Sequence, residues 1–144
     1  MTTTTAPTTY TVPALNRPVA VLGAAAVAVV VNLIIWAIGA AAGGSFEMTD
    51  KGVVSSVAPG GVILMSTVPV LIGLTVAVLI SYLWSGVLRT AAVVGSVLSL
   101  GTIAMTIAAD FDTASTIALS LMHVVLVPIM VIALEGVRRG ITTK

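Results

Sequence analysis

The chain has 144 residues, of which 58% are apolar and only 8% charged, and its mean hydropathy is +1.21. Soluble domains carry about 25% charged residues, so this composition argues against a water-soluble fold. The formal net charge of +1 argues against nucleic acid as a partner, because it provides no basic patch to neutralise several phosphates. Cysteine is absent, which excludes disulfides, a thiol nucleophile and thiolate metal ligands.

Residues 1–16 differ from the rest of the chain. They contain seven Thr, two Pro and no charged side chain. Such a segment lacks the apolar content needed to pack. We therefore predict a disordered cytoplasmic tail that ends before Arg17, and a second short tail at residues 140–144.

Four long apolar runs fill most of the remaining chain. They cover residues 19–42, 61–84, 88–109 and 113–137. A hydrocarbon core about 30 Å thick needs about 20 helical residues, and each run is long enough. The first run is also too long for the apolar segment of a cleaved signal peptide. A helix of this length satisfies its own backbone hydrogen bonds in lipid. The prediction is an all-α polytopic membrane protein, with four transmembrane helices in an antiparallel bundle over residues 17–139.

Residues at the ends of the runs predict where the helices begin and end. Pro18 is typical of a first helical turn, and Asp112 of an N-cap before the fourth helix. Gly136 and Gly140 are expected to end that helix. The link over residues 85–87 is short, so the second and third helices should be antiparallel neighbours.

The distribution of charge predicts the orientation of the bundle. The basic residues at one end are Arg17, Arg89, Arg138, Arg139 and Lys144. The acidic residues at the other end are Glu47, Asp50, Asp110 and Asp112. By the positive-inside rule, both termini lie on the cytoplasmic side of the inner (plasma) membrane.

Small residues recur on one face of the third run. Gly95, Ser99, Thr102 and Thr106 are spaced four, three and four residues apart. Small residues allow close approach of membrane helices. We expect this face to meet small residues of two other runs at the bundle axis. They are Gly73, Ala77 and Ser81 of the second run and Ala25, Ala28, Asn32 and Gly39 of the first.

Several polar residues are predicted to lie near mid-membrane. At a rise of about 1.5 Å per residue, Asn32, Thr102 and His123 have a similar depth. Ser120 precedes His123 by three residues on the same helical face. Pro69 and Pro128 each leave a helical carbonyl without its usual donor. Two interpretations of His123 stay open: a neutral ring that hydrogen-bonds a neighbouring helix, or a titrating group on a proton or solute path.

The opposite end of the bundle carries an acidic pair, Asp110 and Asp112. A cation site there would need further oxygens from the loop over residues 43–60, so helix capping is the favoured role. For that loop, a plain connector is favoured over a lid. The sequence contains no nucleophile–base pair, metal-ligand cluster or phosphate-binding motif, which predicts no enzymatic activity, no metal and no cofactor.

The layout resembles an uncharacterised bacterial family of small four-span membrane proteins, a domain of unknown function. Asn32 in the first span and the segment from Asp112 to the Met122–His123 pair carry the resemblance, which extends from Arg17 to about Arg139. It implies a four-helix membrane fold and no particular activity. The size is also similar to the small multidrug resistance transporters, but those depend on a glutamate in the first span, where this chain has Asn32.

The predicted role is a structural or accessory membrane component. Its partners would be the lipid bilayer and either further copies of itself or a larger membrane complex. The alternative is a small-solute or proton transporter or channel that uses the polar layer of Asn32, Thr102, Ser120 and His123.

Overall fold

The protein is described by a computed structural model over residues 11–142. Four helices dominate this part of the chain: α1 Arg17–Ala41, α2 Pro59–Ile80, α3 Val87–Ala108 and α4 Thr113–Thr142. All four are long and apolar enough to cross a membrane. The all-α bundle predicted from the sequence is therefore confirmed, and the chain is a multi-pass membrane protein.

The helices run up and down, so the bundle has two distinct ends. The terminal face contains the start of α1, the α2–α3 link and the end of α4, where the N–H of Leu15 donates to the carbonyl of Gly136 at 2.9 Å. The hairpin face contains the α1–α2 loop and the α3–α4 loop. Among the described residues, the arginines lie at the terminal face, as the charge pattern predicted; Lys144 lies outside that range.

Side chains at the helix starts explain two of the boundaries. The Asn16 side chain accepts a hydrogen bond from the N–H of Val19 at 2.9 Å, and Pro18 occupies the first turn of α1. Asp112 caps α4 through the N–H of Ser115, also at 2.9 Å. Asn16 and Leu15 were assigned to the tail by composition, yet Asn16 caps α1 and Leu15 packs against the core. Residues 1–10 of that tail lie outside the described residues.

The predicted end of the fourth helix is wrong. α4 continues through Gly136 and Gly140 to Thr142. The two glycines instead make room for Leu15: a Cβ at Gly136 would lie 2.7 Å from Leu15 Cδ1, and one at Gly140 would lie 2.5 Å from the Leu15 carbonyl oxygen. The glycines mark a close approach of the chain rather than a helix stop.

The helices pack in the order α2–α1–α4–α3. Extensive contacts join α4 to both α1 and α3, and α1 to α2, whereas α2 and α3 touch little despite their short link. Alanines allow the close approach of α1: Ala20, Ala24 and Ala28 are all buried. The main core lies toward the terminal face, where Leu88 packs in one cluster with Val78 and others. The expected tight meeting of α2 and α3 therefore does not occur along most of their length.

A β-hairpin occupies the loop between α1 and α2, where a plain connector was expected. Strands β1 Glu47–Asp50 and β2 Val53–Ser56 pair antiparallel, with Asp50 opposite Val53. Lys51 and Gly52 form the two-residue turn, both with positive φ, of 50° and 81°. This is the backbone that tight hairpins require, and Gly52 adopts it without steric cost.

Candidate binding cavity in the membrane-spanning region

A cavity of about 650 Å³ lies between α2 and α3 and extends from the hairpin face to the middle of the bundle. Its wall is mostly apolar. Met65 of α2 and Leu98 of α3 line it, yet they are 66% and 65% exposed. The cavity therefore opens sideways between these two helices, toward the space that lipid would occupy.

The small residues of the third span line this cavity instead of closing it. Gly95, Ser99, Thr102 and Thr106 all contribute to its wall, as does Gly73 of α2. The expectation that these residues bring α2 and α3 into contact is wrong. α3 packs on α4, and α2 packs on α1. The small side chains of α2 and α3 therefore leave open volume between these two helices.

Asn32 forms the part of the wall that α1 supplies. It is only 3% exposed, and its Nδ2 donates to the hydroxyl of Ser66 at 2.8 Å. Its carbonyl oxygen, Oδ1, is buried and has no hydrogen-bond partner. An unsatisfied buried acceptor costs about 1–3 kcal/mol, so Oδ1 would gain from any donor that reaches it. Because this atom is shielded from solvent, the amide or its neighbours must shift slightly before a ligand in the cavity can bond it.

His123 lines the same cavity from α4. Its Nδ1 lies 2.8 Å from the carbonyl oxygen of Leu119, one turn earlier in its own helix. A carbonyl only accepts, so Nδ1 carries a proton, and in the neutral tautomer with this proton Nε2 is an acceptor. His123 thus forms no side-chain bond to Asn32 or Thr102.

Two hydroxyl groups beside His123 already use their protons. Ser99 donates to the carbonyl of His123 at 2.7 Å, which ties α3 to α4. Thr102 donates to the carbonyl of Ser99 at 2.6 Å. The polar layer is therefore rich in acceptors, namely Asn32 Oδ1 and His123 Nε2.

The structure brings together three of the four residues assigned to the polar layer. Asn32, Thr102 and His123 line one cavity, whereas Ser120 of α4 is half-buried and not in its wall. Pro69 also lines the cavity beside Met65, whose carbonyl it deprives of a helical donor. Ser66 was missed by the sequence reasoning, although it lies three residues before Pro69 on the same helical face.

The acidic pair at the hairpin face divides into two different environments. Asp110 is exposed. Asp112 accepts from the hydroxyl and N–H of Ser115 at 2.6 and 2.9 Å, and from the N–H and hydroxyl of Ser45 at 2.9 and 2.8 Å. These bonds, Ser115 first, hold the pKa of the Asp112 carboxyl well below its usual range. No group of three or more metal-ligating side chains is found between residues 11 and 142.

An aromatic cluster fastens the hairpin over the end of the cavity. Phe46, only 2% exposed, stacks on Trp36 with ring centroids 5.4 Å apart. Trp36 Nε1 donates to the carbonyl of Val57 at 2.9 Å, and the N–H of Phe46 donates to the Ser115 hydroxyl at 2.8 Å. Phe46 has a φ of 54°, a left-handed conformation that costs of order 1–3 kcal/mol and is held here by those contacts.

The comparison with known families agrees with this architecture. A family model described as a family of unknown function, DUF6069, matches residues 12–140. The chain belongs to the DUF6069 family. The match spans all four helices of this DUF6069 protein and begins at Val12, close to the Leu15 contact with α4. No curated protein and no solved structure matches the chain.

The family assignment confirms the resemblance stated from Asn32 and the Asp112–His123 segment. It brings no ligand or reaction to this DUF6069 protein. Any functional hypothesis therefore depends on the cavity and its polar residues.

Proposed function

We propose that this DUF6069 protein is a non-enzymatic accessory component of the plasma membrane that binds an uncharged amphipathic molecule between α2 and α3. The observation that carries the proposal is a cavity of about 650 Å³ lined by Asn32, whose Oδ1 is buried and has no hydrogen-bond partner. Small-molecule sites typically enclose 300–1,000 Å³ and combine an apolar wall with a few convergent polar groups.

The chemistry of the wall selects the ligand class. After a small shift of its amide, Asn32 Oδ1 would accept a hydrogen bond from a ligand, and so would Nε2 of His123 in its neutral tautomer. The ligand therefore needs a hydroxyl or an amide N–H. The apolar wall, which includes Leu98, Met65 and Met122, suits a hydrocarbon body. A charged head group is disfavoured, because no Asp, Glu, Lys or Arg lines the cavity and transfer of a charge into the apolar membrane interior is costly.

The absence of enzymatic activity is part of the proposal. The polar side chains that line the cavity supply hydroxyls, one amide and one imidazole. His123 is bonded to a carbonyl of its own helix and faces no acidic partner in the cavity wall, so it is poorly equipped for acid–base relay. The cytoplasmic position of both termini is supported by the arginines at the terminal face.

A second candidate function is transport of a small solute or of protons. It is favoured by the convergence of Asn32, Thr102 and His123 from three helices on one cavity. Toward the terminal face the bundle is packed, with Leu74, Leu88 and Leu134 buried in one cluster, so transport would require α2 and α3 to separate there. Their limited contact makes such a movement feasible.

A photolabelling experiment tests the proposed ligand. The protein in lipid nanodiscs is labelled with a long-chain alcohol bearing a diazirine, and separately with the methyl ether of that alcohol. The alcohol can donate to Asn32 and the ether cannot, so alcohol labelling of α2 and α3 should exceed ether labelling by about tenfold. Asn32→Leu should remove the difference, while Ser96→Ala, whose hydroxyl bonds its own helix, should keep it.

The outcomes separate the hypotheses. Equal labelling by alcohol and ether in the wild-type protein contradicts the proposal, even where Asn32→Leu fails to fold. For the second candidate, proton or solute flux is measured in liposomes. A flux lost in His123→Ala with an unchanged unfolding temperature would favour transport over an accessory binding role.

A further inference from the structure

A second cavity of about 480 Å³ lies at the terminal face, in the groove between α3 and α4. It shares no lining residue with the first cavity, so it is a separate feature of the surface. Arg89, Arg138 and the carboxylate of Glu135 line its charged end. Val93, Val97 and Val131 line the part that continues along the helices. It thus joins a basic end to an apolar groove at the depth where lipid head groups and acyl chains meet.

The basic end of the groove includes one arginine that is not paired with a carboxylate in the described part of the chain. Arg138 donates to Glu135 through Nε at 2.7 Å and through a second nitrogen at 2.6 Å. The same carboxylate accepts from Arg139 Nε at 3.3 Å. Arg89, on the facing helix, is exposed and has no carboxylate partner in the described part of the chain. Glu135 therefore pairs with Arg138, and Arg89 is available for an anion.

The apolar part of the groove is uncovered by protein. Val93 and Val97 of α3 are 63% and 64% exposed, and Val131 of α4 is 39% exposed. Hydrocarbon chains are the natural cover for such side chains in a membrane. An anion held at Arg89 would therefore be best placed if it carried its own acyl chain.

We propose that this groove binds one anionic phospholipid of the leaflet at the terminal face. Its phosphate accepts N–H groups of Arg89 and those N–H groups of Arg138 that Glu135 does not bind. One acyl chain lies along Val93, Val97 and Val131. Guanidinium groups suit phosphate oxygens, and basic pockets between membrane helices are recognised sites for anionic head groups. This site does not depend on the proposed function of the first cavity.

Native mass spectrometry of the purified protein provides the test. The protein is exchanged into mixtures of phosphatidylglycerol and phosphatidylcholine, and the lipid retained per chain is counted. The wild-type protein should retain one phosphatidylglycerol in preference, and Arg89→Gln should weaken that retention by about fivefold. Arg17→Gln changes the charge equally at the same face but outside the groove, where Arg17 lies over the Tyr82 ring at 4.0 Å. It should leave retention unchanged.

Two results would contradict the proposed lipid site. Equal losses in Arg89→Gln and Arg17→Gln would mean diffuse attraction to the basic face and would overturn it. So would full displacement of the lipid by inorganic phosphate, since the acyl chain would then contribute nothing. If Arg17→Gln does not fold, Lys51→Gln at the hairpin face serves as the charge control. Asn32→Leu should leave this lipid bound, which keeps the test separate from the first cavity.

Discussion

The amide nitrogen of Asn32 donates to the hydroxyl oxygen of Ser66 at 2.8 Å, and both side chains are buried. This bond joins α1 to α2 across 34 residues of sequence and orients the amide at the cavity wall. Because Nδ2 is used by Ser66, Oδ1 is the amide atom left without a partner. The position of the cavity acceptor therefore depends on a hydroxyl in a different helix.

Ser66→Ala should destabilise the protein by about 1 kcal/mol, because the buried Asn32 loses the one side-chain hydrogen bond it forms within the described part of the chain. Reversible unfolding in mixed micelles measures the change. Ser96→Ala is the matched control, since the Ser96 hydroxyl bonds the Ala92 carbonyl of its own helix at 2.7 Å. Equal stability of the two variants would show that the Asn32–Ser66 bond contributes nothing.

Gly39→Ala should destabilise the protein by about 1–3 kcal/mol through overpacking. A Cβ at Gly39 would lie 2.7 Å from Ala118 Cβ and 2.8 Å from Phe46 Cζ, so α4 or the hairpin must shift. Gly23→Ala in the same helix meets nothing within 4 Å and should be neutral or slightly stabilising. Thermal unfolding of the two variants compares them directly, and a similar decrease in both would contradict the close packing at Gly39.

Gly140→Ala should destabilise the protein more than Gly136→Ala. A methyl group at position 140 would clash with the backbone carbonyl oxygen of Leu15. A methyl group at position 136 would clash with the flexible end of the Leu15 side chain. A side chain can rotate away, whereas the backbone must move. Thermal unfolding and limited proteolysis near Leu15 measure the effect. Release of the segment before α1 in Gly136→Ala but not in Gly140→Ala would contradict this order.

Asp112→Asn should lower the unfolding temperature and remove a pH dependence of stability. The folded pKa of Asp112 is depressed, so its carboxylate stabilises the protein above the unfolded value of about 3.9. That contribution should decline as the pH falls below about 4 and be lost once the pH passes the depressed folded pKa. Unfolding curves from pH 3 to 7 compare the two proteins. Asp110→Asn, which alters an exposed carboxylate nearby, is the control.

The predicted orientation can be tested with single cysteines, because the chain has none of its own. Ser85→Cys places a thiol at the terminal face, and Asp50→Cys places one at the hairpin face. An impermeant maleimide added to intact cells should label only the hairpin position, since positive-inside topology puts the terminal face in the cytoplasm. Labelling of Ser85→Cys but not of Asp50→Cys would show that the bundle has the opposite orientation.

The hairpin and the cavity are two features that local sequence patterns do not predict. Gly52 beside Val53 and Val54 is a modest turn signal, but the positive φ of Phe46 depends on partners elsewhere in the chain. Ser115, for example, holds Phe46 from a distance of 69 residues. Similarly, helical depth predicted that Asn32, Thr102 and His123 lie level with one another. Depth alone did not indicate that they face open volume.

The sequence by itself determined the four membrane helices, the capping role of Asp112 and the segregation of arginines at one face. These features follow from local chemistry, because lipid leaves every backbone group to be paired within its own helix. Only the tertiary structure decided that α3 packs on α4 while α2 packs on α1, and that a cavity opens between α2 and α3. Burial does not drive helices together in lipid, so their arrangement depends on steric fit and on long-range bonds such as Asn32–Ser66.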